Sequence, residues 1–454
     1  MDDIKVSVLV YVLNDKVHIE KCVRSVMQQT LKELEILLID GGSTDGTLEK
    51  LEQLQKEDSR IKIIRSGAGV GLQFNTGCKA AAGKYIGICE SDDYLLPDMY
   101  ERQYAVAEQF ELDVLRANIN RFCGDGDRQY DFPFAVSADR TLYDTLLYPQ
   151  EDARFLGLGV NCFWSGLYRK EFLLAKDISM NETKGASYQD TSFSFLTQMY
   201  AERAYVMSDA FYCYRIDNPN SSVNNPQKAA LLNTEYRLLK EKLKQRNLWE
   251  KYREIYWKWR VNGYFWAYDN VSEEGKAEYL PVFYKDIREE MESELYLGTE
   301  LSGKERALCE SGRGSLAEFG DFLERADALR KQEEKKIREI GTDGQTVIFG
   351  AGNLGLLASG YLEQKGKKAA AYIDNAAWKW DSLFYGLPVL SPEEGVCQYP
   401  DAAYIIANAA HGQEMKEQLN SLGIRDDKVV ICDNYDLFIA HILVPYWKKG
   451  GSND

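Results

Sequence analysis

Residues 4–90 alternate short apolar runs with helical patterns, and this rhythm leaves few folds open. VSVLVYV reads as a strand. Residues 16–30, KVHIEKCVRSVMQQT, set Ile19, Cys22, Val23 and Val26 on one helical face. LEILLID is a continuous apolar strand of the kind buried in a parallel sheet. GGSTDGT follows as a turn, LEKLEQLQKE as a charged helix and IKIIR as the next strand. After the Gly-rich SGAGVG come a small-residue helix, FNTGCKAAAG, and a strand, KYIGICE. Such a βαβαβαβ order predicts a parallel sheet with helices on its faces. To about residue 225 the pattern is mixed, with a helix from near Pro97, another at TSFSFLTQMYAE and a strand near AYVMSD.

The rest of the chain divides in two. Residues 226–340 read as helical throughout, and the Tyr/Trp stripe in YREIYWKWRVNGYFWAYDNV reads as helix packing. The highly charged RADALRKQEEKKIREI reads as a solvated connector. From residue 341 the strand–turn–helix rhythm restarts. The expected organisation is therefore α/β: a mixed or parallel sheet domain over 1–225, a helical region over 226–340 and a second α/β domain over 341–454. The length of 454 residues agrees with about three domains.

Composition excludes several classes. Lysine plus arginine is 55 against 71 acids, a net charge of −16, so no nucleic-acid partner is expected. No run of 18 apolar residues occurs, so no transmembrane helix is expected. MDDIKVSVLV has acids where a secretory signal needs basic residues. Nine cysteines without a C-x-x-C pair, several inside apolar runs, suit reduced thiols of a cytoplasmic protein. Three scattered histidines, His18, His411 and His441, give zinc or Ser-His-Asp chemistry little to build on.

Ligands of open parallel sheets bind at the carboxyl ends of the strands. Asp40 ends LEILLID just before Gly41 and Gly42, where a carboxylate can accept from a base N–H. Turn chemistry explains Ser43, Thr44 and Asp45 but leaves Asp40 over. Glu90-Ser91-Asp92-Asp93 follows KYIGIC, and an extended chain would put Glu90 and Asp92 on one side. Crowded carboxylates repel unless a cation or donors offset the charge, and hard oxygen ligands suit Mg²⁺ or Mn²⁺. The alternative is a solvated acidic turn, although these acids lie too early to cap the helix at Pro97. Asp190 reads alone as a helix N-cap. Arg215, with Ser221 and Ser222 after it, suits a diphosphate.

In this order the features resemble the inverting family-2 glycosyltransferases of the A-type nucleotide-sugar fold, over roughly residues 4–225. The resemblance rests on VSVLVYVLND, SVMQQT, LEILLIDGGSTDGT, NTGCKAAAGKYIGICESDDYLLPD, FWSGLYRKEFL, YQDTSF and YRIDNPNSSV. It implies that Asp40 contacts the nucleoside base, that Glu90 lies near the ribose or metal and that Asp92 binds the metal. It makes Asp190 the general base and sets Arg215 and Ser221 in a segment that closes over the diphosphate. The implied donor is a nucleotide sugar, most simply a UDP-sugar, and the acceptor a glycan or lipid-linked hydroxyl of bacterial surface polysaccharide synthesis. Trp164 and Tyr188 are the nearest acceptor-side candidates in sequence, and both could equally be core residues. Departures from the family pattern are clear. P-x-Y-N is replaced by Tyr11-Val12-Leu13-Asn14, the first acid of D-x-D is Glu90, and the acid before the base is Gln189. A-R-N is replaced by Gln73-Phe74-Asn75, so an arginine near the nucleotide is missing.

In the last domain Gly350, Gly352 and Gly355 follow the strand TVIF, and Asp374 ends the next strand nineteen residues after Gly355. That is the context of a dinucleotide fingerprint, so a Rossmann-like fold is expected. No hydride-transfer dyad accompanies it, which leaves nucleotide binding or a structural, homo-oligomer-forming role. An oxidoreductase or epimerase run by this domain, and a non-catalytic scaffold, are the rival readings. The ending FIAHILVPYWKKGGSND is apolar then basic and suits peripheral membrane contact.

Overall fold

The computed structural model describes residues 4–124, 130–137, 139–152, 154–158, 162–185, 187–218, 221, 231–270, 273–291, 303–325, 345–364, 366–384, 386–408 and 411–432. The charged connector beyond residue 325 and the tail from 433 lie outside them. The chain forms two compact units, Met1–Phe319 and Gly320–Asp454.

The first unit opens as the apolar rhythm requires: β1 (Val6–Val12), α1 (Ile19–Met27), β2 (Leu34–Asp40), α2 (Thr47–Glu57), β3 (Ile61–Arg65), α3 (Val70–Ala80) and β4 (Tyr85–Ile88). β1 and β2 are buried at every position, which is why their runs are continuous rather than alternating. On α1 the buried residues include Ile19, Cys22, Val23 and Val26. Next come β5 (Tyr94–Leu95), α4 (Met99–Gln109), β6 (Val114–Cys123), β7 (Tyr130–Phe134), β8 (Leu146–Leu147), β9 (Leu167–Arg169), α5 (Lys170–Ala175), α6 (Asp190–Tyr200) and β10 (Ala204–Arg215). The sheet runs β3-β2-β1-β4-β9-β6-β10-β5, with β7 on β6 and β8 on β10. β1 to β4 are mutually parallel, β9 is antiparallel to both its neighbours, and β6 pairs β10 in parallel. The sheet is thus mixed. Strand order reverses at β1, and the carboxyl ends of β1, β2 and β4 meet at the position where such sheets usually have their ligand crevice.

Among the described residues this unit also holds α7 (Leu231–Gln245), α8 (Trp249–Asn270), α9 (Glu273–Met291) and α10 (Gly303–Ser311). The aromatic stripe is their packing. Trp259 of α8 meets Phe195 of α6 edge-on at 5.0 Å, and Tyr264 stacks on Phe283 of α9 at 4.4 Å. Arg260 is 3% exposed, with its guanidinium 3.8 Å from the Tyr264 ring and bonded to Asp286 at 2.9 Å. Among the described residues no helix is long and apolar enough to cross a membrane.

The second unit holds a six-stranded sheet. β11 (Thr346–Phe349), β12 (Ala371–Ile373), β13 (Ser382–Phe384), β14 (Leu387–Leu390), β15 (Ala403–Ala407) and β16 (Val429–Cys432) assemble in the order β13-β14-β12-β11-β15-β16. Every pairing is parallel except β13 with β14. Val347, Phe349, Ile373, Tyr404, Ile406 and Leu419 form its core.

Candidate active site

The site is built on the acidic turn after β4. The chain does not stay extended there: the Asp93 amide donates to the Glu90 carbonyl at 3.1 Å, closing a turn. The turn sends its carboxylates to different partners. Asp93 is 1% exposed and accepts from the Tyr212 hydroxyl and the Arg215 amide, each at 2.7 Å, so it fastens the turn to β10. Glu90 and Asp92 remain half-buried at the crevice. The Tyr11 hydroxyl donates to Glu90 Oε1 at 3.0 Å, and Asn218 Nδ2 donates to Asp92 Oδ2 at 2.6 Å. Ser91 donates to Asp15 Oδ2 at 2.7 Å, and Asp15 also contacts His18 Nδ1 at 2.7 Å.

Electrostatics follow from the crowding. Burial, then the charge of Asp92, pushes the Glu90 carboxyl up to about 8, and Asp190 adds to this. Burial likewise raises Asp92, with the Asn218 hydrogen bond acting the other way and the charge of Asp15 adding to the rise. Carboxyls held this far from comfortable ionisation fit a cation. Among the described residues no group of three His, Cys, Asp or Glu could hold a metal by itself. A divalent ion at Glu90 and Asp92 would draw its remaining oxygens from the donor phosphates and water, the usual habit of Mg²⁺.

Asp190 is the first residue of α6 rather than its N-cap; the N-cap is Gln189, which makes no side-chain cap bond. Burial first of all pushes its carboxyl up to about 7, opposed by its own amide, raised further by Glu235 and lowered by Arg116. The loop leading to it is fixed from α3. Asn75 bonds Met180 through both backbone groups, each at 3.0 Å, and the Val70 amide donates to Gly185 O at 3.1 Å. A Cβ at Gly71 would lie 1.9 Å from Asn181 O, so only glycine lets α3 approach this loop. Asp190 and Glu90 come near enough to raise the latter's proton affinity. Asp190 and the acidic turn are thus electrostatic neighbours.

Arg215 is 4% exposed, donates from Nε to Asp92 O at 3.2 Å and pairs with Asp217 at 3.1 Å. Ser221 bonds Tyr214 through their side chains and donates its amide to Asn218 O at 3.2 Å. The rest of that segment, 219–220 and 222–230, lies outside the described residues. Tyr188 sits half-buried just before Asp190 with φ of +66°, its ring edge-on to Trp266 of α8 at 5.2 Å. Trp164 needs correction as an acceptor platform. It is 7% exposed and stacks on Tyr212 at 4.1 Å and Tyr214 at 4.9 Å, so it supports β10 and offers little open ring face.

Asp40 is fully buried, and its oxygens already accept from the Gly42 and Ser43 amides at 3.3 and 3.1 Å. Arg65, at the end of β3 and 56% exposed, pairs with it at 2.7 Å. A guanidinium from the neighbouring strand thus stands beside Asp40. Gln73 instead ties β1 to β2 by donating to Val12 O and Ile39 O at 2.9 and 2.8 Å. Sequence reading missed Arg65, Tyr11 and Glu235. Arg65 had one signal: parallel register sets it beside Asp40.

In the second unit the glycine loop has a structural use. A Cβ at Gly355 would lie 2.0 Å from Gly350 O, while one at Gly352 would meet nothing. Asp374 does not stand open for a ribose. Its carboxylate accepts from the Ala351 and Ala376 amides, each at 2.9 Å, and pairs with Lys379 at 2.7 Å.

Comparison with known proteins finds a family match within the first unit. Residues 7–174 match glycosyl transferase family 2. The chain is 32% identical over 231 residues to the uncharacterized glycosyltransferase EpsJ of Bacillus subtilis (strain 168), covering 50% of this chain and 65% of that protein. It is 29% identical over 218 residues to the putative glycosyltransferase EpsH of the same organism, covering 48% and 62%. The chain thus spans a little under two thirds of the length of these curated relatives. The crystal structure of S. aureus TarS 1–349 aligns at 20% identity with a TM-score of 0.49, over 69% of this chain and 89% of that one.

Proposed function

We propose, from a family-2 glycosyltransferase domain spanning residues 7–174, that the chain is a metal-dependent inverting glycosyltransferase. It would move a sugar from a nucleotide diphosphate donor, a UDP-sugar in the simplest case, to a hydroxyl of a glycan or lipid-linked acceptor in bacterial surface polysaccharide synthesis. The observation that carries the reading is Asp190, a half-buried carboxyl pushed up to about 7 and close enough to Glu90 of the acidic turn to raise the latter's proton affinity. A base poised near working pH is what proton removal from a sugar hydroxyl needs.

Each residue has a task. The base edge lies against the exposed Arg65 guanidinium, which the buried Asp40 holds in place. Glu90 and Asp92 would hold Mg²⁺ or Mn²⁺, which would offset negative charge on the diphosphate. Arg215, beside Asp92, adds a fixed positive charge to the leaving-group side. Tyr188 and Trp266 border the acceptor hydroxyl, and Asp190 takes its proton as the oxygen attacks the anomeric carbon. A single base without a covalent nucleophile gives inversion. The oxidoreductase alternative is not favoured, because the family match falls on the first unit and Asp374 is already engaged.

A panel of nucleotide sugars incubated with Mn²⁺, and with chelator instead, tests this reading. Expected is hydrolysis of at least one donor that stops on chelation. Turnover of none, with or without a divalent ion, would point to the scaffold reading.

A further inference from the structure

Glu235 is a buried carboxylate that the proposed chemistry leaves unused. Glu235 lies on α7, beyond residues 7–174, and is 2% exposed. Its Oε2 accepts from Asn181 Nδ2 and its Oε1 from Thr183 Oγ1, both at 2.7 Å. The same Asn181 Nδ2 donates to Ser192 Oγ at 3.0 Å, in the first turn of α6. The carboxylate therefore fixes the start of the loop that delivers Asp190, and Asn181 carries that hold on to the first turn of α6. An amide or hydroxyl could accept these bonds without the cost of burying a charge. The charge itself calls for a use.

We propose that Glu235 is a positioning residue for Asp190, holding the 181–192 segment in place and setting a negative charge behind the base. This rests on Asp190 being the base. It makes the helical region a working part of the active site. Burial is the largest influence on Asp190, and Glu235 is the acidic charge acting on it. Arg116 of β6 opposes Glu235, and Glu90 faces Asp190 from the acidic turn. Tyr11, Tyr168, Tyr188 and Tyr236 also face it, each uncharged at working pH. Burial raises Glu235 too, while its bonds to Thr183 and Asn181 and the charge of Lys242 favour the ionised form. Removing the charge of Glu235 should make Asp190 more acidic.

The test is a ¹³C NMR titration of full-length protein carrying carboxyl-labelled aspartate, with the Asp190 signal identified by its loss in Asp190→Asn. In Glu235→Gln the Asp190 midpoint should fall by about half a pH unit or more. Glu235→Met, also uncharged, serves if the glutamine variant does not fold. The acid limb of kcat/KM should move down by the same amount, with KM nearly unchanged. A purely structural clamp would leave the midpoint where it is, and an unchanged midpoint in a folded variant overturns the proposal. The titration needs no turnover. Failure of the base assignment shows separately, as an active Asp190→Asn.

Discussion

Replacing Asp190 with asparagine is expected to slow sugar transfer by about 10²–10⁴-fold, the usual worth of a positioned base. Donor affinity should barely change, because the base faces the acceptor. Asparagine keeps the shape and the hydrogen bonding but takes no proton at neutral pH. Were Asp190 only a helix cap, asparagine would serve about as well and turnover would persist. The pH dependence has a definite sign. The base works as a carboxylate and its carboxyl sits at about 7, so the wild-type rate should climb as pH rises through that value. The mutant should lack this limb. Stability runs the other way. An unfolded aspartate ionises near pH 4, so the folded state is penalised progressively as pH rises from there toward the folded value. Asp190→Asn should therefore melt about 2 °C or more higher than wild type at pH 8 while losing turnover. A rate loss below about tenfold would remove Asp190 from the mechanism.

Asp92→Asn should weaken divalent-dependent donor binding by about 100-fold or more, since even second-sphere changes cost metal sites roughly 10–100-fold. The fold should survive. Asparagine keeps an oxygen for the Asn218 amide, and it is the buried Asp93, not Asp92, that fastens the turn to β10. Calorimetric titration with a nucleotide sugar, with and without Mn²⁺, reads the effect. Equal affinity in wild type and mutant under both conditions would show that the carboxylates hold no catalytic cation.

The strands and helices of residues 4–90 were legible because each obeys one hydrophobic period. VSVLVYV and LEILLID became β1 and β2 residue for residue, and the face read from Ile19, Cys22, Val23 and Val26 is the buried one. The antiparallel members were not legible. β5 and β8 have two residues and β9 three, too few for any period to show, and tertiary pairing alone defines them. Chain order exposed the candidates that stand at strand or helix ends, such as Asp40, Glu90, Asp92 and Asp190. Their partners could not be read the same way. Tyr11 lies 79 positions from Glu90, and Glu235 lies 54 from Asn181; only the folded chain brings them together. Arg65 shows the limit in small. Sequence recorded an arginine lost at Phe74, while sheet register supplied another beside Asp40. Trp164 left two readings open, and its stacking on two strand tyrosines, visible only once β10 is placed, fits the core one.

The central claim is single displacement with one base, and the configuration of the first product tests it most directly. Time-resolved ¹H NMR can follow hydrolysis of an α-linked nucleotide sugar in the presence of Mn²⁺, before the released sugar mutarotates. The β-anomer should accumulate first, and Asp190→Asn should suppress its appearance. First release of the α-anomer would contradict the account, because retention requires a covalent or front-face route that one base at Asp190 cannot provide.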